Sequence, residues 1–147
     1  MNDASWELST DPARLQLQAV HAWLSRSYWS PGIRREVVDK AFSASLSIGA
    51  YADSRQQVGV ARVVTDQATF AWLCDVFVVE DWRGRGIANA MVQALLADPR
   101  LNTLRRWALA TRDAHEVYRP FGFVPVDAAR WLELRPDPSQ WQAPPQK

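Results

Sequence analysis

Leu73-Cys74-Asp75-Val76-Phe77-Val78-Val79-Glu80-Asp81-Trp82-Arg83-Gly84-Arg85-Gly86-Ile87-Ala88-Asn89-Ala90-Met91 reads as an apolar strand running into a glycine-rich turn that opens a helix. A helix start presents unpaired backbone N–H groups and a partial positive charge, and glycines let an anion approach the main chain closely. The stretch is therefore a candidate cradle for a phosphate or diphosphate. Two familiar phosphate motifs do not fit it. A dinucleotide fingerprint needs a third glycine where Asn89 stands, and a nucleotide P-loop needs a Gly-Lys-Ser/Thr ending that the segment lacks.

What fits is Arg83-x-x-Gly86-x-Ala88, after an apolar strand and before an amphipathic helix. Farther on, Val117-Tyr118-Arg119-Pro120-Phe121-Gly122-Phe123 reads as a helix ending in Tyr followed by a Gly-Phe strand start. The strand-like segment Arg106-Trp107-Ala108-Leu109-Ala110-Thr111 separates the two. In this order the motifs resemble the two signatures of the GNAT superfamily of N-acetyltransferases, the first of them Gln/Arg-x-x-Gly-x-Gly/Ala. The resemblance extends from about Gln57 to Phe123 and reaches the N-terminal part only through its order of elements. It implies an α/β fold of the α+β kind: a mixed, mostly antiparallel central sheet flanked by helices and splayed where acetyl-CoA inserts.

The rest of the chain is read from its residues. Its 147 residues, 48% of them hydrophobic, suit one compact domain, expected over 1–135, with a Pro-rich tail over 136–147 that is loosely held. Net charge +1 disfavours a nucleic-acid or membrane surface. Lys40 and Lys147 are its lysines, so the positive charge is mostly arginine; that suits bidentate phosphate contacts, although genomic base composition produces the same bias. The single cysteine, Cys74, excludes an intramolecular disulfide and points to a reducing cytoplasm; inside an apolar strand it reads as a buried hydrophobe, not a nucleophile. His21 and His115 lack the Cys/Asp neighbours of a ligand set, so no metal site is expected.

Along the chain, the residues predict a strand at Trp6–Ser9, a helix capped at Asp11-Pro12 and running to about Leu24, and a second helix starting at Ser30-Pro31. Strands over 46–52, 58–65 and 70–79 form an antiparallel meander, a helix covers 87–97, and Asp113-x-x-Glu116 makes a capping box for a short helix that carries Tyr118. Exposed strand edges would allow a homodimer.

The resemblance implies a direct transfer from acetyl-CoA, as co-substrate, to a primary amine of a small molecule. On that reading the main chain of Phe77 and Val78 pairs with the pantetheine arm. Backbone N–H groups across Arg83, Gly84, Arg85, Gly86, Ile87 and Ala88 hold the pyrophosphate, and Tyr118 protonates the departing thiolate. Tyr28 and Trp29, between the first two helices, line the acceptor pocket, where an aromatic cluster beside acids suits a cationic amine. For the base, Asp75 stands out, because a carboxylate in an apolar strand is either functional or paired. It resembles the acid of polyamine-type members; equally, a hairpin turning at Gln67-Ala68 sets Arg62 diagonal to it on the same face, as a structural ion pair. Asp66, Glu80 and Asp81 are further candidates, and Trp72 replaces the glutamate of histone-type members. A CoA-binding sensor without turnover and a protein N-acetyltransferase are the alternatives, while RNA binding through Arg83-Gly84-Arg85-Gly86 is disfavoured by the charge.

Overall fold

The computed structural model describes residues 5–145; residues 1–4 of the expected domain and residues 146–147 of the expected tail lie outside it. Five strands lie in sequence order across one sheet: β1 (Trp6–Ser9), β2 (Leu46–Ala52), β3 (Gln57–Thr65), β4 (Phe70–Val78) and β5 (Arg106–Ala108). The first four pair antiparallel and β5 pairs parallel to β4, so the sheet is mixed and mostly antiparallel, as expected. Tight turns join β2 to β3 and β3 to β4, and β3 is rich in β-branched residues, which favours a meander over these three strands. Asp66 builds the β3–β4 turn, accepting from the N–H groups of Ala68 and Thr69 and from the Thr69 hydroxyl, which holds its carboxyl far below the usual range. It is a turn residue, at the end of β4 away from the glycine-rich segment.

Helices cover both faces. α3 (Ile87–Leu96) packs Ile87, Met91, Val92 and Leu95 onto a layer that includes Ile48, Val63 and Leu73. On the other face α1 (Leu17–Ser25) and α2 (Arg35–Ser43) bury Val20, Leu24, Val38 and Phe42 around Val60, with Trp23 and Phe77 at the edge. Each buried Leu, Ile or Phe contributes roughly 1.5–3 kcal/mol of transfer free energy, so these two layers hold the sheet rigid between the helices.

Several local expectations shift. Asp11 does cap a turn, but a 3₁₀ one, Pro12–Arg14, and the chain extends at Leu15 before α1 begins. The cause is a reciprocal glutamine clamp: Gln57 Oε1 accepts from Gln16 N–H at 2.8 Å, and Gln16 Oε1 accepts from Gln57 N–H at 3.0 Å, fixing Gln16 outside helical geometry. Ser30 starts no helix. Its hydroxyl and that of Ser27 turn back to the Leu24 carbonyl, at 3.0 and 2.7 Å, Gly32 takes φ +73°, and α2 begins only at Arg35. The short helix α4 (His115–Tyr118) does carry Tyr118, yet Asp113 is not its cap; Thr111 Oγ1 accepts from Ala114 N–H instead. Gly122-Phe123 opens no strand among the described residues: Gly122, at φ +98°, ends a 3₁₀ turn and the chain continues irregularly. Part of the expected tail is held. Arg34 N–H donates to Trp141 O, Ala143 N–H to Gly32 O, and Ile33 bridges Gln142, pinning 141–143 to the loop before α2.

Candidate functional site

Two features of β4 open the site. Pairing with β5 stops at Trp72 opposite Ala108, so 73–78 run on without a neighbour on that side. The sheet splays there. On the other side the register shifts: Val60 faces Phe77 and Arg62 faces Cys74, which leaves Ala61 opposite two residues, Asp75 and Val76. Asp75 sits in this bulge at φ +54°. A bulge re-aims side chains, and here it swings the Asp75 carboxylate to the Arg62 side of the sheet.

The contact that results is the ion pair expected from the sequence, reached by another route. A hairpin turning at Gln67-Ala68 would place Arg62 opposite Leu73; the observed register places it opposite Cys74, and the bulge then supplies the same-face approach. Arg62 Nε donates to Asp75 Oδ2 at 2.8 Å, and Arg62 Nη1 donates to Ser45 Oγ at 3.0 Å. Trp29 Nε1 donates to the other oxygen, Asp75 Oδ1, at 2.9 Å. Both carboxylate oxygens are thus engaged on a side chain only 10% exposed.

Beyond β4, the turn Glu80–Trp82 leads into Gly84 at φ +79° and Gly86 at φ +81°, the residue that precedes α3. No neighbour lies within 4 Å of where a Cβ would stand at either glycine, so the positive φ is what requires glycine, not crowding. No side chain caps α3, and the first N–H groups of the helix face the turn. Arg83 behaves differently from a pure phosphate ligand. Its Nε donates to the Val78 carbonyl at 2.8 Å and its guanidinium lies 5.4 Å from the centre of the Phe77 ring, which stacks on Trp23.

A cavity of about 770 Å³ follows this path, walled by Trp23, Phe77, Val78, Arg83, Gly86 and Ala88. A second, of about 710 Å³, lies between β4 and the segment after β5, walled by Arg62, Trp72, Asp75, Arg112 and Tyr118. Tyr28, Trp29, Val76, Asp113 and Ala114 border both. The expected acceptor residues Tyr28 and Trp29 therefore stand on the partition, their rings in T-shaped contact. Tyr118, from α4, reaches the second cavity with its phenol pushed above its ordinary pKa by burial and, next, by the neighbouring Tyr28. Burial also pushes the Cys74 thiol up to about 12, which keeps it protonated at neutral pH.

Other candidates fall outside. Glu80 and Asp81 are exposed in the turn before the glycines and line neither cavity. His21 is tied to the Ile33 carbonyl at 2.9 Å, and no group of three or more metal-type side chains occurs among the described residues. Sequence reading missed Arg112, which stacks over Tyr28 at 3.9 Å while its N–H donates to the Tyr28 hydroxyl. No periodicity marks an arginine in a loop.

Comparison with known proteins agrees with this architecture. The pattern described as the acetyltransferase (GNAT) domain matches residues 44–125. A Gibberella zeae protein named as a candidate acetyltransferase is 30% identical over 107 residues, 60% of this chain; the chain spans 60% of that relative's length. A crystal structure from Xanthomonas campestris pv. campestris, described as a candidate acetyltransferase of the GNAT family, is 41% identical, with a TM-score of 0.86 over 91% of this chain and 94% of its own. A Clostridium acetobutylicum structure described as a candidate acetyltransferase with acetyl-CoA shares the fold, with a TM-score of 0.66 at 17% identity over 89% of this chain and 95% of its own. The domain match takes in the bulged strand, both glycines and Tyr118, and with the splayed sheet it makes this chain a member of the GNAT acetyltransferase family.

Proposed function

We propose that this protein moves the acetyl group of acetyl-CoA directly to the primary amine of a small molecule. The observation that carries the reading is that the two cavities share Val76 and Trp29, while the half-buried phenol of Tyr118, its pKa raised, lines the second. Acetyl-CoA would lie in the first cavity with its pyrophosphate on the N–H groups from Arg83 through Ala88, as anions bind at helix starts. Its pantetheine would pair with the unpartnered edge of β4 at Phe77 and Val78, and Arg83 would leave the Val78 carbonyl to meet phosphate. A backbone N–H at that edge would stabilise the oxyanion.

The acceptor nitrogen, once neutral, attacks the thioester carbon. As the tetrahedral adduct collapses, the C–S bond breaks and the sulfur takes the Tyr118 proton; the proton lost by the amine passes through water and restores the phenol. The raised pKa keeps Tyr118 in its acid form through neutral and mildly alkaline pH. Of the two roles read for Asp75, we propose the positioning one, because both its oxygens already accept hydrogen bonds. It would hold Trp29 against the partition, and water would relay the amine proton. Work in the cytoplasm belongs to the same proposal; among the described residues no helix is long and apolar enough to cross a membrane.

The test is thiol release from acetyl-CoA against a panel of amines, with purified protein. Amine-dependent release is expected, and binding of acetyl-CoA without release from any amine would favour a sensor instead.

A further inference from the structure

The second cavity is poorly built for the cationic acceptor that its sequence suggests. Asp75 is paired with Arg62 and bonded to Trp29, so no free carboxylate remains on that wall. The Tyr28 ring already carries a cation, the chain's own Arg112 at 3.9 Å. The lining holds three arginines, Arg62, Arg112 and Arg135, against two acids, Asp75 and Asp113. Arg62 is committed to Asp75 and Ser45, and Arg135 to Glu133.

Arg112 is different. Its guanidinium makes no hydrogen bond among the described residues, and its ion-pair partner, Asp113 Oδ2, is 3.7 Å away on a carboxylate that is 66% exposed. Its side chain, 65% exposed, stacks on Tyr28, whose hydroxyl accepts from the backbone N–H of Arg112 at 3.1 Å. A planar guanidinium with open donors, oriented by an aromatic ring, offers a seat for a carboxylate or phosphate. It borders the second cavity and not the first.

We propose that the acceptor is a small amine bearing an anionic group, with Arg112 as the counter-ion that orients its amine toward the thioester. This rests on the acetyltransferase reading and narrows its acceptor. Polyamines and aminoglycosides, whose several cations would meet three arginines and one loosely held acid, Asp113, fit poorly.

The experiment measures kcat/KM by thiol release for ethanolamine against O-phosphoethanolamine and β-alanine, and for phenethylamine against phenylalanine, with spermidine and kanamycin as polycations. At least one anionic amine should exceed its neutral counterpart about tenfold or more. Which of O-phosphoethanolamine and β-alanine is better separates phosphate from carboxylate recognition. In Arg112→Gln the ratio should collapse toward one, and Arg112→Glu should shift preference to spermidine; calorimetric affinity for CoA should stay unchanged in both. Equal rates within the pairs, a polycation as best substrate, or weakened CoA binding in Arg112→Gln would overturn the proposal. If no amine turns over, calorimetry of the CoA-loaded protein with the same anionic amines decides, and failure of all of them to bind also overturns it. Failure of the acetyltransferase reading shows separately, as no binding of acetyl-CoA or as binding without release from any amine.

Discussion

The two cavities that meet at Val76 and Trp29 are made of different material. The first sets main chain beside its aromatic walls, Trp23 and Phe77: an unpaired strand edge, two glycines at positive φ and the uncapped start of α3. The second is bounded by side chains locked to one another, Arg62 with Asp75 and Trp29, Arg112 with Tyr28. On the proposed reading, backbone geometry would recognise the shared co-substrate, whereas side-chain pairs would set which acceptor enters. The first can be retained while the second is rebuilt, which is how one fold serves many acceptors.

That division can be broken from either side. The largest effect is expected for Tyr118→Phe, which removes the proton for the thiolate: kcat should fall on the order of a hundredfold while calorimetric affinity for acetyl-CoA stays the same. In the wild type, activity should decline only at a pH above the ordinary tyrosine value. The sign follows from the raised pKa, since the acid form is the active one and is lost as pH rises through it. Loss of that alkaline limb in the Phe variant is the check. Gly86→Val forces a β-branched residue to φ +81°, at a cost of about 1–3 kcal/mol. Acetyl-CoA should bind roughly tenfold to a hundredfold more weakly, and carboxylate-free and anionic amines should suffer alike.

Changes on the acceptor side should be smaller and selective. Asp75→Asn leaves Arg62 without its counter-charge at a site 17% exposed, so chemical denaturation should show a loss of about 2 kcal/mol, below the range for fully buried pairs. If Asp75 only positions Trp29, KM for the amine rises with kcat nearly unchanged; a fall in kcat on the order of a hundredfold would make it the base. Trp29→Phe deletes one hydrogen bond, worth about 1 kcal/mol, and should raise the amine KM about fivefold; because Trp29 borders both cavities, acetyl-CoA affinity should fall by less than that. Least of all, Cys74→Ala should leave kcat intact, and iodoacetamide should label Cys74 slowly at pH 8, because burial keeps its thiol protonated.

The same division decided what could be read from the amino-acid sequence. Glycines at Gly84 and Gly86, between an apolar strand and a helix, announce their backbone geometry directly, so the turn before α3 was legible, as was the order of strands. Elements governed by distant partners were not. The first helix breaks where Gln16 meets Gln57, forty-one positions away, and Ser30 serves the end of α1 when its neighbour Pro31 suggests a helix start. The Arg62–Asp75 pair was foreseen from an incorrect register, because a bulge corrected the face; no local residue pattern marks a bulge without glycine. Arg112 was invisible for the same reason, its significance coming from Tyr28, eighty-four residues earlier.

The measurement that bears most directly on the account is calorimetric titration of the purified chain with acetyl-CoA. The account predicts saturable binding at one site, with a Kd in the range of roughly 1 μM to 1 mM, weakened in Gly86→Val and unaltered in Arg112→Gln. No heat of binding for the wild type, at protein that melts cooperatively, would contradict the cradle and with it the assignment of both cavities.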